Sequence, residues 1–381
     1  NASDAINKRQ FESLQGGADG SFDGSIAIAV DKKSKSITIS DNGVGLDADD
    51  LKNTLGTIAS SGTKAFLEHM EKTGDKAKSQ SQLIGQFGVG FYAAFMVAER
   101  VEVVSKKLAN NEAFCWASDG KSGFTISPAK KDETGTAITL MLKSDAKEFL
   151  QEDRITQLIK KYSNHISFPI NWLDKNDVLK RLNASTALWA KPAKDISEDE
   201  YKSFYNSVSG SFDSPFAVFH NRTEGVVEFT NLLFLPSVAP FDLYDPDRKS
   251  KLQLYVNRVF ITDQCDDLVP KWLRFLRGVI DTPDVNLNVS REMLQLSPVI
   301  SKIRKSVVKR VLAELKKAII KRRDDYQMFW DAFGRVVKEG AYEDDDNRAK
   351  ILEVSFFKSS KLQSLITLDE YVDAFADGQE E

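Results

Sequence analysis

The apolar positions of this chain change period several times, and the changes outline its elements. Ala2, Ala5 and Ile6 recur, with Arg9, at the spacing of one helical face over residues 1–11. Residues 25–30 and 36–40 alternate with period two around a charged turn, which predicts a hairpin. Leu51, Leu55 and Ile58 return to helical spacing, and 63–70 reads as another short helix. The stretch 71–81 is almost wholly polar, the pattern of an exposed connection, and leads into Gly85-Gln86-Phe87-Gly88-Val89-Gly90. The apolar run 91–97 that follows has helical composition and is too short to span a bilayer. Strand patterns come next at 101–104, 113–116, 123–126 and 136–142, then a helix over 149–166 with Ile155, Leu158, Ile159 and Tyr162 on one side. Elements arriving in blocks rather than in strict alternation predict an α+β sandwich, not a doubly wound sheet.

The second half repeats the change of period. Ser197 and Glu200 have the spacing of a capping box for a helix carrying Tyr201, Phe204 and Tyr205. Strands are expected at 216–219, 226–235 and 252–261. A long helix follows, with Ile300, Ile303, Val307, Val311 and Leu315 as its buried stripe. Phe329, Phe333 and Val337 mark a further helix from about Asp324. These patterns divide the chain into a first domain at 1–173, a short charged linker at 174–185, the large α/β part of a middle domain at 186–323, and at 324–381 the end of that middle domain, leading into a further helical or α+β region. Between strands, Phe241, Leu243 and Tyr244 put large apolar side chains into a loop. Such a loop either folds onto its own core or offers an exposed contact for other proteins.

With 381 residues, 41% of them hydrophobic and 28% charged, the chain can bury more than one core. A net charge of −4 argues against a general nucleic-acid binder. Cys115 and Cys265 lie in different regions and show no metal-ligand spacing, so a disulfide framework is not expected and a reducing compartment is. His69, His165 and His220 are scattered and read as structural or solvated. Neither a membrane-spanning run nor a signal peptide is expected. The uncapped first helix and the unfinished pattern after 369 read as ends cut through larger elements.

Three glycines in six residues at 85–90 can turn successive backbone N–H groups toward one point, which suits a phosphate, although glycines also make ordinary turns. Asn1 and Asp4 stand one helical turn apart, where an amide oxygen could complete the shell of a phosphate-bound Mg²⁺ or simply cap the helix. Asp41 meets Gly43 and Gly45 at a strand end. A carboxylate there can accept from an exocyclic amine while the glycines let a flat ring approach the backbone, and Asp-Asn-Gly is also a common turn. Gly135-Thr136 opens a later strand, where a hydroxyl could support the same ring.

The order of these motifs, N-x-x-D-A, D-x-G-x-G, G-x-x-G-x-G and then G-T, resembles the Bergerat ATP-binding fold shared by type II topoisomerases, mismatch-repair MutL, histidine kinases and heat-shock protein 90 chaperones. Asn1-Ala-Ser-Asp-Ala5, Leu55-Gly-Thr-Ile-Ala59, Ser61-Gly-Thr-Lys64, residues 84–92, 254–261 and 288–295 are similar to the heat-shock protein 90 family specifically, and to its bacterial type, because no long acidic linker separates the domains. The resemblance implies an ATP-dependent chaperone with ATP or ADP and Mg²⁺ as cofactors. Asn1 would hold the Mg²⁺, and Asp41 would read the adenine amine beside Gly45, Leu46, Thr54 and Thr136. Asp4, Lys8, Gly88, Val89, Gly90 and Phe91 would complete the nucleotide site. Residues 56–85 would form a lid, and Arg291 with Gln295 would reach the γ-phosphate from the second domain. Phe241, Leu243 and Tyr244 would contact clients.

The same resemblance implies a homodimer acting on unfolded proteins with cochaperones, with no nucleic-acid or membrane partner, in a bacterial cytoplasm or an organelle matrix. Thr54 and Ser60 depart from residues common in the family. The family's general-base glutamate falls four positions before Asn1, so the chain as it stands is expected to hydrolyse ATP weakly or not at all. The rival readings are a DNA-processing ATPase of the same fold, a nucleotide-independent holdase and a histidine kinase. The acidic balance and the 288–295 segment count against the first, and the want of a phosphoacceptor-histidine helix against the last.

Overall fold

The computed structural model describes residues 1–15, 22–57, 63, 83, 85, 88–174, 178–245, 248, 250–285, 297–376 and 378–379. It divides into two compact units, one of residues 1–187 with 257–260, the other of 188–256 and 261–381.

The first unit is organised by a sheet of β1 (Ile26–Asp31), β2 (Ser36–Asp41), β3 (Ala98–Lys106), β4 (Ala113–Ser118), β5 (Phe124–Ala129), β6 (Gly135–Leu142), β7 (Ile170–Leu173) and β8 (Leu179–Arg181), in the order β5-β4-β3-β6-β2-β1-β7-β8. The expected hairpin is present: β1 and β2 pair antiparallel from Ile26↔Asp41 to Asp31↔Ser36. Only β1 with β7 runs parallel in this sheet. Mostly antiparallel pairing with helices gathered separately is the α+β arrangement that the block order predicts. Pro128 lies in β5, an edge strand, where a missing N–H costs no ladder bond. The other edge, β8, is fully exposed and carries Lys180 and Arg181, charges that disfavour edge-to-edge association.

Helix α1 (Ala2–Gln15) buries Ile6, and α2 (Ala48–Thr54) buries Leu51, in the same core as Ile28, Ile37, Val101, Val103 and Trp116. Asp47 caps α2 in a capping box with Asp50, and Lys107 Nζ bridges both carboxylates at 2.8 and 2.7 Å. The expected helix over 149–166 is shorter. A 3₁₀ turn at Lys147–Leu150 precedes an extended Gln151, and α4 covers Glu152–Tyr162, with α3 (Ala94–Val97) lying earlier in the chain. The expected linker at 174–185 is also revised. Its residues 179–181 form β8, which hydrogen-bonds antiparallel to β7, so this stretch completes the first sheet.

In the second unit, α5 (Glu198–Ser209) starts at the Ser197–Glu200 capping box and ends on Gly210 in a left-handed conformation. Strands β9 (Ala217–Thr223), β10 (Phe229–Leu235), β11 (Lys251–Val256), β12 (Val259–Thr262) and β13 (Arg277–Asp281) form a sheet ordered β12-β11-β13-β10-β9. The single strand expected over 252–261 is thus two strands, broken where Asn257 and Arg258 take φ of 49° and 63°. Helix α6 (Pro298–Lys321) buries the predicted stripe of Ile300, Ile303, Val307, Val311 and Leu315. Helix α7 (Arg323–Glu343) follows directly and packs Phe329 and Phe333 against Phe275 and Phe216, with ring centroids 4.6–6.0 Å apart. Helix α8 (Arg348–Glu353), β14 (Phe357–Lys358), β15 (Leu365–Ile366) and α9 (Leu368–Asp373) complete the described chain.

Phe329, Phe333 and Ile351 belong to one core with Leu233 and Leu254 of the sheet. Phe333→Ala should therefore lower the stability of the whole second unit by about 3–5 kcal/mol, the usual cost of removing a buried phenyl group. Urea unfolding followed through Trp189 and Trp272 measures this. A transition that leaves those tryptophans unmoved would mean that α7 has a separate core.

Candidate functional site

The Asp-Asn-Gly turn after β2 is the point where α1 meets the sheet. Val44 N donates to the Ala5 carbonyl at 3.0 Å, and Arg9 Nη1 donates to the Asn42 carbonyl at 2.7 Å. Asn42 also fastens the preceding loop, accepting from Ser25 N at 2.8 Å and donating to the Asp23 carbonyl at 2.9 Å. A side chain at Gly43 would place its Cβ 2.6 Å from both the carbonyl carbon and Cβ of Ala5, so only glycine lets the helix come this close. Gly45 has φ +69°, and a Cβ there would fall 2.0 Å from the Lys106 carbonyl oxygen. The backbone is thus drawn tightly over the ends of β2 and β3.

Beneath it, three polar side chains form a row across adjacent strands. Asp41 is the register partner of Thr136, and Thr136 is the register partner of Ser105, so all three share one face. Gly43 N donates to Asp41 Oδ1 at 2.9 Å. Thr136 and Ser105 are buried, with their hydroxyl oxygens 2.9 Å apart, and Ser105 Oγ accepts from Leu46 N at 2.8 Å. Asp41 keeps some open surface, yet its carboxyl is crowded on most sides. Burial pushes its pKa up to about 6, although the Gly43 amide and the charge of Lys131 pull the other way. A poised carboxylate beside a close-approaching backbone marks a candidate binding site. At neutral pH the group is an acceptor that can take a donor from a flat ligand.

Helix α1 also reaches the glycine loop. The Asp4 carboxylate, 3% exposed, accepts from Gly85 N at 2.7 Å and from Thr63 Oγ1 at 3.2 Å. Asp4 therefore ties down two distant segments, one through the Gly85 backbone amide and one through the Thr63 hydroxyl, a role that spacing within the helix did not indicate. Asn1 is exposed just before α1, and its carbonyl accepts from Ala5 N. One turn beyond Asp4, burial lowers the Lys8 pKa while Asp4, Glu12 and Asp50 oppose the shift. Thr54 spends its hydroxyl hydrogen on the Asp50 carbonyl at 2.6 Å.

The apolar run 91–97 is not one helix. A 3₁₀ turn, Gly90–Ala93, precedes the single turn α3, and Ala98 enters β3. Phe91 is buried in edge-on contact with Trp116, and Tyr92 Oη donates to the Leu55 carbonyl at 2.9 Å. Those anchors favour an early stop over helix extension. Gly88 has φ +68°, Val89 is the residue before the 3₁₀ turn, and the space beside Gly90 is open.

In the second unit, Phe241 is fully exposed and Tyr244 about half exposed, whereas Leu243 is wholly buried in the core. Leu243 is therefore removed from the expected client contacts, because its side chain presents no surface. Arg291 and Gln295 lie outside the described residues, as does most of the expected lid. His220 is a packing residue: Nδ1 meets Tyr201 Oη at 2.7 Å and Nε2 meets the Trp189 carbonyl at 2.9 Å. A groove of about 470 Å³ in the second unit is lined by Phe216, Val218, Glu314, Lys317, Lys321 and Arg322. Among the described residues no three His, Cys, Asp or Glu side chains could hold a metal, and no helix is long and apolar enough to cross a membrane.

A mixed sheet with a crowded, half-buried strand-end aspartate, close glycines and a loop tied back to the first helix defines a class of nucleotide-binding domain. A family model described as "Histidine kinase-, DNA gyrase B-, and HSP90-like ATPase" matches residues 2–136, which contain Asp4, Asp41, the close glycines, Gly85, Ser105 and Thr136. A second, "Hsp90 protein", matches residues 175–381, and the chain belongs to the Hsp90 family. It is 50% identical over its whole length to "Chaperone protein HtpG" of Roseobacter denitrificans, 48% to that of Gluconobacter oxydans and 46% to that of Paramagnetospirillum magneticum. It spans about 60% of the length of these curated relatives.

The raised Asp41 pKa has a stability consequence of definite sign. The folded state holds this proton more tightly than the unfolded chain, so the contribution is complete below about pH 4 and lost as pH rises through 6. Asp41→Asn, which keeps an acceptor for the Gly43 amide, should raise stability by about 1–3 kcal/mol at pH 7.5 and hardly at all at pH 4. Thermal unfolding at the two pH values checks this. A destabilised variant at pH 7.5 would contradict the assigned burial cost.

Proposed function

We propose that the chain works as the nucleotide-binding and middle portion of an ATP-dependent molecular chaperone. The observation that carries this is the Asp41 carboxylate, held by the Gly43 amide and in register with Thr136, beside a backbone that only glycine could bring so close. An acceptor in that position takes the exocyclic amine of adenine, while Gly45, Leu46 and Thr136 line the same corner.

The phosphates extend toward the backbone of Gly88, Val89, Gly90 and Phe91, near the end of the segment that Asp4 anchors at Gly85. Asn1 offers one exposed neutral oxygen at the start of α1, which fits a Mg²⁺ taking its remaining ligands from phosphate oxygens and water. When bound, that ion screens phosphate charge. Residues 56–85 act as the lid, and Arg291 with Gln295 supplies positive charge and support at the γ-phosphate, where charge develops during transfer. The protein is a homodimer in a bacterial cytoplasm, and its clients are unfolded or partly folded proteins. Exposed Phe241 and Tyr244 suit apolar client segments.

Titration calorimetry with ADP and Mg²⁺ tests the nucleotide reading. Losing a hydrogen bond to a charged acceptor costs about 1.5–3 kcal/mol, so Asp41→Asn should weaken binding by roughly 10–150-fold. Equal affinity of the two proteins would reject it. Suppression of client aggregation by the intact protein, with and without ATP, tests the chaperone reading, and indifference to nucleotide would favour a holdase.

A further inference from the structure

The row behind Asp41 contains one residue with no part in the nucleotide contacts proposed above. Ser105, on β3, is completely buried, and its Oγ has three polar neighbours. Leu46 N lies at 2.8 Å, Thr136 Oγ1 at 2.9 Å and the Gly135 carbonyl oxygen at 3.2 Å. A serine hydroxyl has one hydrogen and two lone pairs. The Leu46 N–H can only donate, so it takes one lone pair. The Gly135 carbonyl can only accept, so a hydrogen bond to it takes the Ser105 hydrogen. Thr136 must then donate its own hydrogen into the second lone pair of Ser105. The reverse arrangement, with Ser105 donating to Thr136, leaves two bare oxygens facing each other at 3.2 Å in the interior. Only the first assignment satisfies all three contacts, as buried polar groups require.

That assignment sets the polarity of Thr136. Its hydrogen points back to Ser105, and toward Asp41 and the bound ring it presents lone pairs alone. We infer that Ser105 is a positioning residue that holds the Thr136 hydroxyl as an acceptor, and thereby makes the site prefer a purine bearing a 6-amino group over one bearing a 6-oxo group. The inference rests on the nucleotide reading given above and adds to it the origin of base preference. The preference comes from two acceptors in one row: Asp41, which could satisfy the amine alone, and Thr136, whose orientation is set one strand further away. A 6-oxo group would meet both as oxygen against oxygen. Ser105 has no contact with the ligand, and acts only through the hydrogen it accepts.

The test is the ratio of affinities for ADP and IDP, measured by displacement of a fluorescent ADP analogue. Ser105→Ala frees the Thr136 hydroxyl to rotate and donate to a 6-oxo group, so the preference for ADP should shrink about tenfold, the worth of one reoriented hydrogen bond. A merely structural loss would weaken both ligands equally and leave the ratio unmoved, which overturns the inference. Thr136→Val provides a second arm should Ser105→Ala fold poorly. If Thr136 is an acceptor, this variant loses ADP affinity and not IDP affinity, whereas a greater loss for IDP means that Thr136 donates and the assignment is wrong. Thr136→Ser, which keeps the hydroxyl, should retain the wild-type ratio. A wild-type protein that binds neither nucleotide rejects the nucleotide reading itself, a result distinct from ADP binding with an unchanged ratio.

Discussion

The close approach of α1 to the turn at Gly43 is the contact on which the first unit's chemistry depends. One short stretch of helix touches both halves of the candidate site: Ala5 lies against Gly43 and bonds Val44, and Asp4 takes the amide of Gly85. Moving α1 outward by the width of a methyl group would separate the strand-end carboxylate from the glycine loop. Sterics therefore set the geometry, and hydrogen bonds hold it. The Arg9 and Asn42 bonds keep the turn from drifting, and burial of Ile6 gives the helix its hydrophobic reason to stay.

The sheet supplies the other constraint. Register partners in neighbouring strands share a face, so Ser105, Thr136 and Asp41 fall into line without further arrangement. A slip of one residue in β6 would turn Thr136 to the opposite face and end the row. Tight pairing of β3, β6 and β2 in the middle of an eight-stranded sheet makes such a slip costly, because it would also expose Leu140 and Leu142. A site held by central strands is more exact than one held by loops alone.

Much of this was legible in the sequence where one local pattern determines one local geometry. The alternation at 25–40 predicted its hairpin, Ser197 with Glu200 predicted a capped helix, and Asp41-Asn-Gly predicted a turn with a carboxylate at its mouth. What escaped prediction depends on residues distant in the chain. Asp4 bonds Gly85 across 81 positions and Ser105 meets Thr136 across 31, and nothing near either residue points to its partner. The 179–181 stretch reads as linker because its side chains are exposed and charged, but an edge strand needs only backbone pairing. In the 241–244 loop, alternate burial separates Leu243 from Phe241, a distinction that composition cannot make. The run 91–97 has the composition of a helix but ends early, because Phe91 and Tyr92 are anchored to Trp116 and Leu55.

At Asp41 the demands of the fold oppose those of the proposed binding role. Its carboxyl is kept charged at neutral pH in a place where burial favours the neutral acid. The Gly43 amide that bonds it offsets part of that cost, and the core of Ile28, Ile37, Val101, Val103 and Trp116 must supply the rest. A neutral amide would suit the fold better, at the expense of the proposed contact with an exocyclic amine. A charged group retained at the end of a central strand against that preference is more readily explained by recognition than by folding, and the flanking residues agree. Gly43 gives up a side chain to admit the helix, Gly45 adopts a backbone conformation that other residues resist, and Thr136 and Ser105 place hydroxyls where aliphatic side chains would pack. Gly43 and Thr136 stand next to that carboxylate, and Ser105 reaches it only through Thr136.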